Sequence, residues 1–253
     1  MTSTHAHPDV RRPDAGTVLV SPWIVPSPDL QRRAADSVLD AWEGQPRPDA
    51  MLSLSTFLSD DGSHVLNYAQ WTDDDAHREW VRHRRPATVS RIDESIPGIR
   101  RPGLTRYARY RSYAPEGTAG RQPGLLVTPT FATTGPAVQR ALADLVIDAL
   151  ERERVPGLLG AHLHLSKDGG RVLNFAEWAD TAAWREFAGG GAAARLRATI
   201  SAVEGVTADT AAPTVPGHAG VTHYRLHRSL VNIPAPLSVH AGSGPGQEKI
   251  RSR

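Results

Sequence analysis

The chain has 253 residues, 22% of them charged, a formal net charge of +2 and no cysteine. That charge balance excludes a basic face built for nucleic acid, and the missing thiols exclude disulfides, thiolate metal sites and cysteine nucleophiles. No run of about 18 apolar residues is present, and His, Pro, Asp and Arg stand near the N-terminus where a signal peptide needs an apolar core; a soluble, cytoplasmic protein without nucleic-acid or membrane partners is expected.

Residues 1–15 are polar and contain proline, and read as a mobile tail. Thr17 to Trp23 is a β-branched apolar run, hence a strand, and Pro28 to Trp42 places Leu30, Ala34, Val38, Leu39 and Trp42 at helical spacing behind a Ser27-Pro28 start. Met51 to Leu58, an Asp60-Asp61-Gly62 turn and Val65 to Trp71 predict a hairpin. Thr72 is the expected cap of an acidic-headed helix that breaks at Pro86, resumes through Ile92 and stops near Pro97-Gly98. Leu104 to Tyr113 is the closing strand, and residues 114–123 are a linker.

The same series then recurs. Strand Leu125 to Phe131, helix Pro136 to Arg152, hairpin Leu158 to Ser166 and Val172 to Trp178, helix Thr181 to Phe187, a helical stretch from Ala192 to Val203 and strand Val221 to Leu230 follow in order. Val65-Leu66-Asn67-Tyr68-Ala69-Gln70-Trp71 matches Val172-Leu173-Asn174-Phe175-Ala176-Glu177-Trp178 at five of seven positions, 107 residues apart. The closing strands align at 117, so about ten residues, Asp209 to His218, are inserted in the second copy. Duplication of one module is the reading, with halves at 16–113 and 124–234 and a Gly/Ser/Pro-rich tail at 235–253. Strand, helix, strand, strand, helix, strand is the ferredoxin-like split βαβ unit. Each antiparallel sheet has helices on one face, so the expected fold is α+β: two fused ferredoxin-like halves whose sheets pack into a pseudo-two-fold dimeric α/β barrel. Further homo-oligomerisation stays open.

In a strand, alternate side chains share a face, so Asn67, small Ala69 and Trp71 line one surface, as do Asn174, Ala176 and Trp178. An amide and an indole bordering a gap suit a flat phenol, which would stack on the indole and accept a hydrogen bond from the amide. The plainer reading is a core tryptophan beside a satisfied buried amide.

An Asn-x-x-x-Trp strand end followed by an acidic-capped helix in a ferredoxin-like half resembles the antibiotic biosynthesis monooxygenase domain of the dimeric α+β barrel superfamily. The resemblance implies a small oxygenase that oxidises a polycyclic, polyketide-type anthrone or phenol with O2, without metal or tightly bound cofactor, in secondary-metabolite biosynthesis. Asn67 and Trp71 take the implicated positions. Six residues after the tryptophan, where such members have Tyr, stand His77 and Trp184; about twenty after, where they have Arg, stand Arg91 and, in the second copy, Ala198 beside Arg197. The first half keeps more of the pattern. Asn67, Trp71, Arg91 and His77 are therefore the catalytic candidates, and Ala69, Asn174, Trp178 and Trp184 the substrate-binding ones. Two alternatives remain open: a ring-opening oxygenase of the angucycline type served by diffusing reduced flavin, and a non-catalytic carrier for a hydrophobic aromatic. Haem binding is disfavoured, because Val18-Leu19-Val20-Ser21 offers no ligand pattern. His162 with His164, and His223 with His227, share strand faces but lack a carboxylate at ligand spacing, so no metal is expected.

Overall fold

The computed structural model describes residues 1–44, 46, 48–83, 96–209 and 221–232. The elements are β1 (Thr2–Thr4), β2 (Thr17–Ile24), α1 (Pro28–Glu43), β3 (Met51–Ser59), β4 (His64–Trp71), α2 (74–83), β5 (Thr105–Tyr113), β6 (Leu125–Val127), β7 (Thr130–Thr133), α3 (Pro136–Glu153), β8 (Leu158–Ser166), β9 (Arg171–Trp178), α4 (Thr181–Gly189), α5 (Gly191–Ser201), β10 (Val206–Ala208) and β11 (His223–Val231). Ser27 caps α1 by accepting from the Leu30 N–H. The cap of α2 is Asp73 rather than Thr72: its Oδ1 accepts from the Ala76 N–H at 2.8 Å, as Asp180 accepts from Ala183 in α4. A carboxylate reaches that amide and also faces the positive end of the helix dipole.

The strand expected over 125–131 is two strands. Pro129 has no N–H for a ladder, and the backbone turns aside there, with the Thr128 N–H on Thr222 O and Pro129 O accepting from the Asn174 N–H at 2.9 Å.

All strand pairings among the described residues are antiparallel, and eight strands close a ring in the order β2, β4, β3, β11, β6, β9, β8, β5 and back to β2. Each half's last strand is swapped: β5 pairs with β8 of the second half, and β11 with β3 of the first. The sheets therefore join edge to edge, and closure removes the free edges a lone half would expose. Phe57, Leu66, Tyr68, Tyr107, Leu173, Phe175 and Tyr224 fill the lumen. The outer faces of β4 and β9 carry separate cores under α1 and α3.

Residues 1–15 are not a detached tail. β1 extends the sheet beside β11, Val10 is buried in the lumen cluster, and Gln70 Nε2 donates to Asp9 O at 2.9 Å. Burying one valine and pairing one strand holds a polar segment that composition alone marks as loose. The 235–253 tail, Arg91, the Pro86 break and 210–218 of the insertion lie outside the described residues. Among the described residues, no helix is long and apolar enough to cross a membrane.

Candidate functional site

Asn67, Ala69 and Trp71 do share a face, and it is the helix-facing one: Val65, Ala69 and Trp71 pack with Ala34, Val38 and Trp42 of α1, while Leu66 and Tyr68 enter the lumen. In the first half the described side chains fill this layer. Trp71 is 1% exposed and meets Trp42, Trp80 and His77 at ring separations of 6.3, 6.2 and 5.0 Å, and Trp42 stacks on Trp80 at 4.4 Å. Asn67 Nδ2 donates to Ser21 O at 3.2 Å, and its Oδ1 is buried without a partner. His77 is buried, and Arg106 Nη2 donates to its Nδ1 at 3.1 Å. That lone pair is occupied by a guanidinium that also bonds Asp74, so His77 is not poised as a base at Nδ1.

The second half differs by side-chain volume. Gln31 and Gln139 occupy equivalent places on α1 and α3, each donating through Nε2 to three acceptors of the following hairpin, and they fix the structural register of the repeat upstream of the hairpins. In that register Trp23 and Trp42 correspond to Phe131 and Leu150, and beyond the hairpin turn Trp80 corresponds to Phe187. Three of the four tryptophans on this face are replaced by smaller side chains. Beside two of these smaller side chains, Phe131 and Phe187, a cavity of about 790 Å³ lies between β7, β10 and helices α4 and α5.

Its walls are Phe131, Trp184, Phe187, Leu196 and Ile200, and among the described residues Arg197 is the one charged side chain lining it, held by a 3.0 Å bond from Nη1 to Ala188 O. Trp184 is buried, with the His223 ring edge-on at 4.0 Å. Asn174 and Trp178 stand one layer behind. The Asn174 N–H bonds Pro129 O, Pro129 lines the cavity, and the Trp178 ring lies 5.2 Å from Phe187. Asn174 Oδ1 and Trp178 Nε1 are buried without partners. Of the residues singled out from sequence, Trp184 lines the cavity, Asn174 and Trp178 support it, and Asn67, Ala69, Trp71 and His77 lie in the layer packed among the described residues of the other half. Phe131, Phe187, Leu196 and Ile200 were missed. The signal for Phe131 and Phe187 was the loss of tryptophan between the two copies; Leu196 and Ile200 had none.

The histidine pairs serve the barrel. Tyr68 OH donates to His164 Nε2 at 3.1 Å, since His164 Nδ1 must donate to His162 O at 2.8 Å; burial pushes the His164 imidazole down to about 3 and raises the Tyr68 phenol. His227 Nε2 lies 2.7 Å from Asp36 on α1. Among the described residues, no three His, Asp or Glu side chains are grouped to hold a metal ion.

Residues 131–199, from β7 to α5 and including the cavity's aromatic walls and Arg197, match the family model described as antibiotic biosynthesis monooxygenase. The second half carries an antibiotic biosynthesis monooxygenase domain. The repeat relates the first half to it, and the pair forms the barrel described above. No curated protein sequence matches the chain. Among solved structures, an anthrone oxidase-like protein is 15% identical with a TM-score of 0.59, covering 85% of this chain and 93% of that one. A proposed monooxygenase from Fusobacterium nucleatum subsp. nucleatum is 10% identical with a TM-score of 0.53, over 85% and 93% of the two chains. Another from Lactobacillus acidophilus is 8% identical with a TM-score of 0.51, over 86% and 100%. At these identities the likeness is one of fold.

Proposed function

We propose that the chain is a monooxygenase whose second half is the catalytic half, oxidising a flat polycyclic phenol or anthrone with O2 inside the cavity bounded by Trp184, Phe131 and Phe187. The observation that carries this is the replacement of Trp23 and Trp80 by Phe131 and Phe187, both of which line about 790 Å³ of mostly apolar space in the domain that matches the family. Pockets of that size hold drug-sized ligands. The aromatic rings supply stacking faces, and the Arg197 guanidinium supplies what an oxygenation without metal needs most, stabilisation of an anion. An anthrone ionised next to Arg197 is electron-rich enough to reduce O2 itself. One oxygen atom enters the ring carbon as a carbonyl, the other leaves as water with the two hydrogens lost from that carbon. The fold likeness to an anthrone oxidase-like protein supports this substrate class. Asn174 and Trp178 position the wall in this scheme, and Asn67, Ala69, Trp71 and His77 are scaffold.

The test is oxygen uptake by the purified, metal-free protein with an anthrone, with and without a flavin reductase system, comparing wild type with Arg197→Ala. Uptake without flavin that falls at least about tenfold in the variant, one lost charge-assisted contact's worth, is expected. Uptake only with reduced flavin moves the assignment to a flavin-served ring-opening oxygenase. Binding without uptake in either condition makes the protein a carrier.

A further inference from the structure

At the end of the barrel where β4 and β9 begin, a pocket of about 240 Å³ lies against the lumen cluster and takes its walls from both halves. Leu66 and Leu173 line it, and so do Tyr107 and Tyr224, each pair equivalent in the repeat. The remaining equivalent positions are split by polarity. Pro22 stands opposite Leu66 as Thr130 stands opposite Leu173, and two residues earlier Val20 answers to Thr128. The first half therefore supplies an apolar wall and the second a hydroxylic one. A cation also enters from the second half alone: Arg171 lines the pocket, whereas its counterpart His64 turns to Ser63 Oγ at 2.6 Å. Val20 and Pro22 show that the barrel closes without polar side chains at these places.

Two of the second half's polar groups keep unused hydrogen-bonding capacity. Thr128 is 6% exposed; its N–H bonds Thr222 O and its carbonyl accepts from Thr130 Oγ1 at 3.3 Å, yet its own hydroxyl has no partner among the described residues. A buried hydroxyl that bonds nothing carries a cost that the isosteric valine of the first half avoids. Arg171 Nε donates to Asp209 Oδ2 at 2.8 Å, and Nη1 reaches Thr105 Oγ1 at 3.4 Å. Both partners line the pocket, so the guanidinium is held at its wall, while Nη2 has no hydrogen bond among the described residues. A carboxylate on Nε fixes the plane of the fork and leaves the Nη edge to donate to an acceptor. Unused donors on one side and aliphatic side chains on the other suit a molecule with an anionic head and an apolar body. The volume is below that of a drug-sized pocket and limits the body to a short chain or one ring.

We infer that this pocket is a second small-molecule site, separate from the oxygenation cavity, which binds a small monocarboxylate with its head on Arg171 and its body against Val20, Pro22, Leu66 and Leu173. The Thr128 hydroxyl supplies a further polar contact. Calorimetric titration of the full chain with benzoate at constant ionic strength, set against benzyl alcohol, tests it. Saturable benzoate binding is expected, at least about tenfold tighter than that of the alcohol and weakened by a similar factor in Arg171→Gln/Asp209→Asn, which removes both charges together. A loss of about threefold is expected in Thr128→Val, which restores the first half's side chain. Arg197→Ala leaves benzoate binding unchanged, because that guanidinium lines the other cavity. Thermal unfolding of each variant verifies the fold. Absence of saturable binding to the wild type, equal binding by the folded Arg171→Gln/Asp209→Asn protein, or loss in Arg197→Ala instead overturns the site.

Discussion

Arg197 and His164 illustrate how far one residue's chemistry is set by its surroundings. Arg197 sits on an exposed helix and was visible in sequence only as a neighbour of the expected position, because nothing in a one-dimensional pattern says which helix faces enclose a void. His164 was legible as a strand residue but not as the partner of Tyr68, which comes from the other half of the chain. Its imidazole is held down to about 3, chiefly by burial, with His162 and Arg109 adding repulsion. The unfolded chain takes up that proton below about 6.5 while the native protein does not, so stability contributed above pH 6.5 is lost as pH falls toward 3. The loss is expected to reach on the order of 2 kcal/mol between pH 6.5 and 5 from this group. Denaturant unfolding at those two pH values, in wild type and His164→Gln, checks it: the pH difference shrinks in the variant, and an unchanged difference refutes the assignment.

At the scale of elements, strands and helices were largely readable because period, caps and breakers agree along most of the chain. Ser27-Pro28 starts α1 as the pattern requires, and both hairpins close on a glycine at positive φ, Gly62 and Gly169. The exceptions have local causes. Pro129 divided one expected strand, a carboxylate displaced Thr72 as cap, and the N-terminal segment gained its order only from barrel partners far away in sequence. Gln139 was not anticipated at all, since a glutamine on a helix reads as a solvated residue. It is buried, and its Nε2 serves Ser166 O, Ser166 Oγ and Arg171 O, clamping α3 to the turn that leads into β9. Gln139→Ala leaves buried acceptors unpaired and is expected to cost about 1–3 kcal/mol in chemical denaturation, with Gln31→Ala similar in the first half. A cost below about 0.5 kcal/mol in both would show that water serves those carbonyls equally well.

For the whole molecule the repeat announced two halves, but not that each completes the other. β5 belongs to the ring beside β8, and β11 beside β3, so neither half alone has a closed sheet. Residues 1–118 and 119–253 produced separately are expected to aggregate or stay unfolded, and to regain a folded barrel when co-expressed; two independent unfolding transitions in the intact chain would contradict this coupling. Under the proposed reading fusion frees one copy from the chemistry, and the tryptophans packed among the described residues of the first half are what that reading rests on beside the cavity of the second. The proposed oxygenation cavity lies in the second half. The direct measurement is O2 uptake with an anthrone by the double variant Phe131→Trp/Phe187→Trp, which restores the first half's side chains, set beside Trp71→Phe in the first half. Filling the cavity is predicted to abolish uptake while Trp71→Phe retains it within about threefold at some cost in stability. Full activity in the filled variant together with loss in Trp71→Phe would place the chemistry in the first half and contradict the account.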